Sequence, residues 1–318
     1  MILAFIENWE GQFKKSSFET TSYGKTLSKK LGCPLTIITF GSHEPNELIK
    51  YGADKIINIA NITLEETPNS SIVEIIVKII EDNASKTIIT SNTNLGKSIS
   101  PLLASKLNAG LFSNVIDLPE NTQPMIAKCK AFSGKAYAKY ESSFEKNIIS
   151  ILPNSIGEIT KYDGEGVVSN EDAEIESNNS LKIISRSKSN DTVALPDADI
   201  VVSAGRGLKN AENWDIIEEL ASTLNAATAC SKPVSDMGWR PHSEHVGQTG
   251  IAINPQLYIA IGISGAIQHL AGVSSSKNIV VINTDSDAPF FKAANYGIVG
   301  DAFEVVPKLI DAIKKHTN

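Results

Sequence analysis

The 318-residue sequence predicts two α/β domains in series, the second built on a doubly wound parallel sheet. Three observations carry this. Apolar runs of strand length alternate with helical stretches through the first third of the chain. From Gly164 to Asp197 the composition turns polar, through GEGVVSNEDAEIESNNS and SRSKSNDTVALPDAD, and this marks a junction. From Asp199 the alternation returns cleanly, with small or polar residues after each strand. A boundary near Ser187–Asp191 then separates a scaffold over residues 1–188 from a domain over residues 189–318.

Ile2–Ile6 reads as the first strand and Ser17–Leu31 as a helix that Gly32 stops. Leu35–Phe40 and Lys55–Ile59 are the next strands. Across Ser70–Glu81, Ile72, Val73, Ile75, Ile76, Ile79 and Ile80 recur at helical spacing. Thr87–Thr90 is a strand and Lys97–Leu107 a helix. Strands separated by amphipathic helices imply a mostly parallel sheet. Met125–Phe132, Ala136–Ser142 and Asn147–Leu152 are strand candidates joined by turns, which predicts an antiparallel addition to this domain. In the last third, Asp199–Ser203, Ala226–Cys230, Leu257–Ile261, Asn278–Ile282 and Ile298–Val299 are strands. Helices are expected over Glu212–Leu224, from Ala266, over Pro289–Asn295 with Pro at its start, and over Val305–Lys315.

Composition narrows the partners. A net charge of −7, from 29 basic and 36 acidic residues, argues against a general nucleic-acid or anionic-membrane surface. Cys33, Cys129 and Cys230 are far apart and form no C-x-x-C pair, which argues against a disulfide framework, a zinc site and an iron–sulfur cluster. No apolar run approaches the length of a membrane span. MILAFIENWEG enters a strand-like run without a basic presequence, as expected of a mature cytoplasmic bacterial protein.

The strand ends carry the chemistry. Directly after the strands of the last third come Arg206, Ser231 with Lys232, Ser264 with Gly265, Asn283, and Asp301. If those strands are parallel, all these residues share one edge of the sheet, where open α/β sheets bind ligands. The stretch IGISGAIQHLAG, Ile261–Gly272, is a tight turn between a buried strand and a helix. Free backbone N–H groups and a helix dipole there suit a phosphate, although a turn needing positive φ would use the same glycines. VGQTG, Val246–Gly250, adds a second loop with the amide of Gln248 and the hydroxyl of Thr249. Two such loops and a basic strand end suit a dinucleotide better than a mononucleotide. His269 falls in the first turn of the helix, as a structural side chain or as a donor to a ligand. His242 and His245 have H-x-x-H spacing, but Pro241 and Gly247 make their segment a loop, which disfavours metal. No G-x-S-x-G elbow and no acid–base pair for hydrolysis stands out.

SAGRGLKNAENW, ACSKPVSDMGW, HVGQTGIAINPQLYIAIGISGAIQHLAG and NIVVINTDSDAPFFKAANYGIVGDAFEVVP together resemble the α subunit of the electron-transfer flavoproteins. The resemblance is dense from Asp199 to Lys315 and looser before it, where FSNVIDL at Phe112–Leu118 carries it. It implies an N-terminal nucleotide-binding-like α/β domain acting as a dimerisation scaffold, and a C-terminal FAD-binding domain. It implies one FAD per αβ heterodimer, with AMP or a second FAD in the β subunit. The task it implies is carrying electrons from acyl-CoA and related dehydrogenases to a membrane quinone oxidoreductase, as in fatty acid β-oxidation, with no substrate turnover of its own. Neither nucleic acid nor direct membrane insertion is expected.

The resemblance assigns cofactor contacts residue by residue. Arg206 would meet the pyrophosphate or adenosine side, and Ser231 and Lys232 the flavin end. Val246, Gly247, Gln248, Thr249 and Gly250 would wrap the flavin and ribityl region, with Thr249 near the reactive N5. Ser264, Gly265, Ala266, Ile267, Gln268 and His269 would cradle phosphate and ribityl chain, with His269 on the pyrimidine edge of the flavin. Asn283, Asp301 and Ala302 would hold the adenosine part. One departure stands out: the family usually places an Arg after the strand-end Ser, and here it is Lys232, followed by Pro233. Charge is kept and the planar fork is lost, so a shifted flavin potential or a less persistent semiquinone is expected. Three alternatives remain: a nicotinamide- or FAD-binding domain like those of thiamine-dependent enzymes and transhydrogenases, a bifurcating NADH-oxidising electron-transfer flavoprotein, and a nucleotide sensor.

Overall fold

A computed structural model describes residues 1–132, 134, 136–156, 159–175, 181, 183–184 and 195–317. The chain divides into two compact units, Met1–Ala131 with Tyr137–Ser189, and Asn190–Asn318 with Phe132–Ala136. The boundary expected at Ser187–Asp191 lies outside the described residues.

The first unit is one large sheet flanked by helices. Its elements begin with β1 (Ile2–Phe5), a small antiparallel ribbon of β2 (Asn8–Trp9) and β3 (Gln12–Phe13), α1 (Lys15–Leu31), β4 (Leu35–Phe40) and β5 (Lys55–Ile59). They continue with α2 (Asn69–Asp82), β6 (Thr87–Ser91), α3 (Asn94–Leu107) and β7 (Gly110–Val115). The rest are β8 (Asn121–Thr122), β9 (Met125–Ala131), β10 (Ala136–Ser142), β11 (Asn147–Ile151) and β12 (Val167–Glu171). The strands lie in the order β10-β9-β7-β11-β6-β1-β4-β5-β12, with β8 on β9. Side chains alternate across each strand, so one strand feeds two cores. Leu3 and Phe5 of β1 pack with Ile72, Ile76 and Ile99 of α2 and α3. Ile2, Ala4 and Ile6 pack on the other face with Tyr23 and Leu27 of α1.

Two expectations are corrected here. Asn147–Leu152 is not part of an antiparallel addition: β11 is central and pairs in parallel with both β6 and β7. Every residue of β11 is buried, as in a strand covered on both faces, and closeness to β10 in sequence concealed this. Among the described residues of this sheet, β9 pairs antiparallel with β7 and with β8. The polar stretch after Gly164 was expected to be linker, yet β12 adds in parallel to the edge strand β5. Its residues are largely exposed, and backbone bonds with the 2.8 Å contact from Asn58 Nδ2 to Asn170 Oδ1 hold it, so no apolar signal announced it.

The second unit begins with β13 (Ile200–Ala204), α4 (Asp215–Leu224), β14 (Ala227–Cys230) and α5 (Lys232–Asp236). It continues with β15 (Leu257–Ile261), α6 (Ile267–Val273), β16 (Asn278–Asn283), β17 (Tyr296–Val299) and α7 (Ala302–Thr317). The five strands run in the order β14-β13-β15-β16-β17, and every pairing is parallel. Val202, Ala204, Ile259 and Ile261 face α4 and α7, where Ile217, Leu220, Val306 and Ile310 meet them. Val201, Tyr258, Ala260 and Val281 face the other way, onto Val273 of α6 and Phe290. Pro289–Ala293 forms a short 3₁₀ turn in place of the expected helix. α7 starts earlier than Val305 because Asp301 caps it, its Oδ1 accepting from Phe303 N–H at 2.9 Å.

Candidate functional site

The chain moves outward from β13 in both directions, to β14 on one side and to β15 on the other. The crevice beyond the carboxyl ends of β13 and β15 is therefore a topological switch point, where open α/β sheets bind ligands. A cavity of about 480 Å³ lies there. That volume is typical of a small-molecule site.

Close backbone approach shapes the cavity floor. Gly262, just after β15, has φ +60°, and a Cβ on it would sit 2.8 Å from the Cα of Gly207. The ends of β13 and β15 thus draw together: Gly205 N–H donates to Ile261 O at 3.0 Å and Gly207 N–H to Gly262 O at 3.1 Å. Gly265 has φ +81°, with Phe290 pressed against its back, where a Cβ would meet Phe290 Cβ at 2.5 Å. The glycines of the G-I-S-G turn thus serve backbone packing. The turn in turn exposes donors: no described residue accepts a hydrogen bond from the backbone N–H of Ser264, Gly265, Ala266, Ile267 or Gln268. Ala266 caps α6 without a side-chain hydrogen bond, so the start of that helix is open.

The V-G-Q-T-G loop is stitched to both neighbours. Val246 N–H donates to Cys230 O at 3.1 Å, fixing the loop to the end of β14. Gln248 N–H donates to Gln268 O at 2.7 Å, fixing it to the start of α6. This direct bond explains why the two small-residue turns occur so close together: they form two walls of one cavity. The loop leaves the side chains of Gln248 and Thr249 exposed.

Charge in the cavity is mostly positive. Arg206 and Lys232 line it, and neither pairs with a described residue; Asp236 is the acid among the lining residues. The hydroxyl of buried Ser231 has no described partner either. His269 is 7% exposed, and its Nε2 shares a 2.8 Å hydrogen bond with the phenol of Tyr258. Burial, and next the neighbouring His245, push the His269 pKa down to about 4, with the Val246 main chain pulling the other way. That pull closes no hydrogen bond to Nδ1, which is buried and without a partner. Burial also raises the Tyr258 phenol well above its ordinary range, so both groups are neutral near pH 7.

The structure brings most of the expected residues together. Arg206, Ser231, Lys232, Val246, Gly247 and Gln248 line the cavity. So do Thr249, Ser264, Ala266, Gln268 and His269. Others stand outside the lining. Gly250 packs against the ring of His245, Gly265 against Phe290, and Ile267 is 63% exposed. Asn283 clamps the turn, donating from Nδ2 to Ile263 O at 3.0 Å and accepting from Asp285 N–H at 3.1 Å. Asp301 caps α7 and lies 3.9 Å from Lys209, while Ala302 is buried beside Val306. Gly205, Pro233, Asp236, His245, Gly262 and Ile263 line the cavity without having been anticipated. Extending the strand-end rule by one or two residues back toward each strand would have found Gly205, Gly262 and Ile263. His245 was weighed only as a metal ligand. The neighbouring His242 bonds Ser235 Oγ at 2.7 Å, and among the described residues no group of three His, Cys, Asp or Glu could hold a metal.

An open parallel sheet with unpaired cations and free N–H groups at its switch point defines a protein that binds an anionic, nucleotide-like cofactor. The comparisons with known proteins name the family. The model described as "Electron transfer flavoprotein domain" matches residues 2–183, and that described as "Electron transfer flavoprotein FAD-binding domain" matches residues 194–274. The chain is 35% identical over 322 residues to the electron transfer flavoprotein subunit alpha of Bacillus subtilis, covering 99% of this chain and 97% of that one. It is 33% identical to the subunit alpha of Mycobacterium leprae, covering 98% of both chains. It is 33% identical to Protein FixB of Clostridium saccharobutylicum, covering 99% of this chain and 96% of the relative. A solved Mycobacterium smegmatis enzyme described as thiamin diphosphate-dependent covers 98% of this chain and 59% of its own at 9% identity and TM-score 0.25, too slight a likeness to carry an argument. The chain belongs to the electron transfer flavoprotein α-subunit family. Flavin fits the donor set: N–H groups and cations for phosphate, hydroxyls for polar edges, and Val246 and Ile263 as apolar wall. Among the described residues, no helix is long and apolar enough to cross a membrane.

Proposed function

We propose that this chain holds FAD in the cavity between β13 and β15 and pairs with a β subunit as an electron carrier without substrate turnover of its own. The observation that carries the reading is the convergence of unpaired donors on one crevice. Bound flavin supplies the electron-accepting and electron-donating chemistry. The chain's own residues hold and tune it. The N–H groups of Ser264–Gln268, with Arg206, take the negative charge of a diphosphate. Lys232 sets a fixed positive charge beside the cavity, which favours an electron-rich cofactor. His269, neutral near pH 7, contributes hydrogen bonding without charge. Asn283 and Asp301 act on the adenosine part through the turns they brace. The first unit serves as dimerisation scaffold. The donors are acyl-CoA and related dehydrogenases and the acceptor a membrane quinone oxidoreductase, in the bacterial cytoplasm.

Co-expression with the β subunit, followed by a visible spectrum and a count of released nucleotides, tests this. One FAD per heterodimer, reduced through an acyl-CoA dehydrogenase and not by NADH, is the expected result. Two FAD with rapid NADH reduction would replace the simple carrier by a bifurcating one. A colourless heterodimer that takes up no FAD would refute the assignment of the cavity.

A further inference from the structure

We propose that His245 is the proton-coupled wall of this site: its imidazole takes up a proton from solvent when negative charge arrives on the cofactor beside it. The proposal rests on the reading of the cavity as the FAD site.

His245 is 7% exposed, yet it lines the cavity. Its ring makes no hydrogen bond with a described residue, and its nitrogens are not sealed in as Nδ1 of His269 is. An imidazole in that state presents an unfilled donor or acceptor to whatever occupies the cavity. It is also held in place. A Cβ at Gly250 would come within 2.9 Å of His245 Cγ and one at Gly247 within 3.3 Å of Nε2, so the V-G-Q-T-G turn clasps the ring. Ile251 N–H donates to His245 O at 2.9 Å and His245 N–H to His242 O at 3.1 Å, fixing the backbone on both sides.

The charges around it define its response. α5 brings Lys232 and Asp236, its own turn brings His242, and α6 brings His269. Arg206 lines the same cavity from the end of β13. The adjacent Glu244 is committed to Arg240, at 2.6 and 2.8 Å. Burial and then Lys232 lower the His245 pKa, with Asp236 opposing, so the ring is neutral near pH 7 while no anion is present. An arriving negative charge reverses the local balance and raises that pKa. His269, at about 4, stays below it, and His242 is not among the lining residues of the cavity. His245 is left to take the proton. Linkage sets the sign: the charged state of the cofactor is favoured as pH falls through the raised pKa, and levels off below the lowered one. Each unit of difference corresponds to about tenfold in the equilibrium.

The negative charge has two sources, the diphosphate on binding and the flavin ring on reduction, and two measurements on the αβ heterodimer separate them. The first titrates FAD into flavin-stripped heterodimer at about pH 7 in two buffers of different ionisation heat, which counts protons taken up on binding. The second follows the flavin midpoint potential between about pH 6 and 8. Wild type is expected to show proton uptake, a steeper potential–pH slope, or both, relative to His245→Gln. Equal uptake and parallel slopes in the two proteins would overturn the proposal while leaving FAD in the cavity. A wild-type heterodimer that binds no FAD would instead refute the site itself. Should His245→Gln fail to fold, the imidazole NMR signal of wild-type His245 decides: a titration curve unmoved by FAD binding and by reduction overturns the proposal.

Discussion

The two units are each built on a largely parallel sheet with a reversal of strand order, and they treat the crevice at that reversal in opposite ways. In the first unit the reversal falls between β1 and β6, and polar side chains that follow those strands bond to the chain itself. Thr93 donates its hydroxyl proton to the Glu7 carboxylate and accepts from Gly96 N–H at 3.0 Å, capping α3. Asn92 bridges Asn114 at 2.6 Å and Ser150 at 3.1 Å, and Asn8 reaches Phe40 O at 2.6 Å. The anion that the start of α3 attracts is thus the protein's own Glu7. In the second unit α6 begins at Ile267, its cap residue Ala266 offers no side-chain hydrogen bond, and the N–H groups of Ser264–Gln268 lack partners among the described residues. The difference teaches that fold class places a crevice, while capping chemistry decides whether it is closed by the chain or left for a ligand.

Substitutions can break or sharpen this contrast. The largest effect is expected at Gly262→Val, which puts a β-branched residue at φ +60° against the Cα of Gly207. A loss of about 3 kcal/mol or more, with loss of flavin, should appear in thermal unfolding and in the visible spectrum. Retained flavin at wild-type stability would show that the strand ends need not close up.

The second effect is of pH. His269 has its pKa lowered to about 4 in the folded protein, below its ordinary 6.5. The unfolded chain therefore binds the proton more readily, and folding stability falls as pH drops below about 6.5 and levels off under about 4. Denaturant unfolding at pH 7 and pH 5 should show a loss of roughly 2 kcal/mol, and His269→Gln should lose less. Equal losses in the two proteins would mean that the imidazole is not held neutral by burial.

A third comparison sets one residue of each crevice side by side. Arg206→Ala removes a cation with no partner in the chain, so it should weaken FAD by about 1.5–3 kcal/mol and leave stability nearly unchanged. Thr93→Ala removes a helix cap, so it should cost about 1 kcal/mol of stability and leave FAD affinity alone. Flavin titration and denaturant melts on both proteins test this, and a flavin defect in Thr93→Ala would erase the contrast. The smallest effect is expected at Lys232→Arg. It keeps charge and restores a planar fork, so it should move the midpoint potentials without loss of flavin. Superimposable redox titrations of the two proteins would remove Lys232 from the tuning of the cofactor.

Local patterning exposed much of this molecule. The isoleucine spacing of α2 and the glycine after α1 were readable because each reports a local geometry. The second sheet was readable strand by strand, and its strand ends led to Arg206, Ser231, Lys232 and Ser264, which do meet in the cavity. Other features were hidden for physical reasons. β11 follows β10 closely in sequence but pairs with β6 and β7, a choice made by burial on both faces. β12 is an exposed edge strand whose backbone bonds leave no trace in hydropathy. His245 could not be recognised, because its place in the cavity depends on how the V-G-Q-T-G turn closes around its ring.

The sequence by itself therefore determined the elements, the parallel character of the second sheet and the edge on which a ligand would sit, because periodicity and turn residues act over a few neighbours. Only the tertiary structure decided which polar groups at that edge remain free. Asn283 and Asp301 stand at strand ends in sequence, and in the fold one braces the turn after β15 and the other caps α7. The Ser264 N–H and the Lys232 ammonium look no different in sequence and have no hydrogen-bond partner among the described residues. Whether a donor or a charge is satisfied depends on residues brought near it from distant segments, and that proximity exists only in the folded chain.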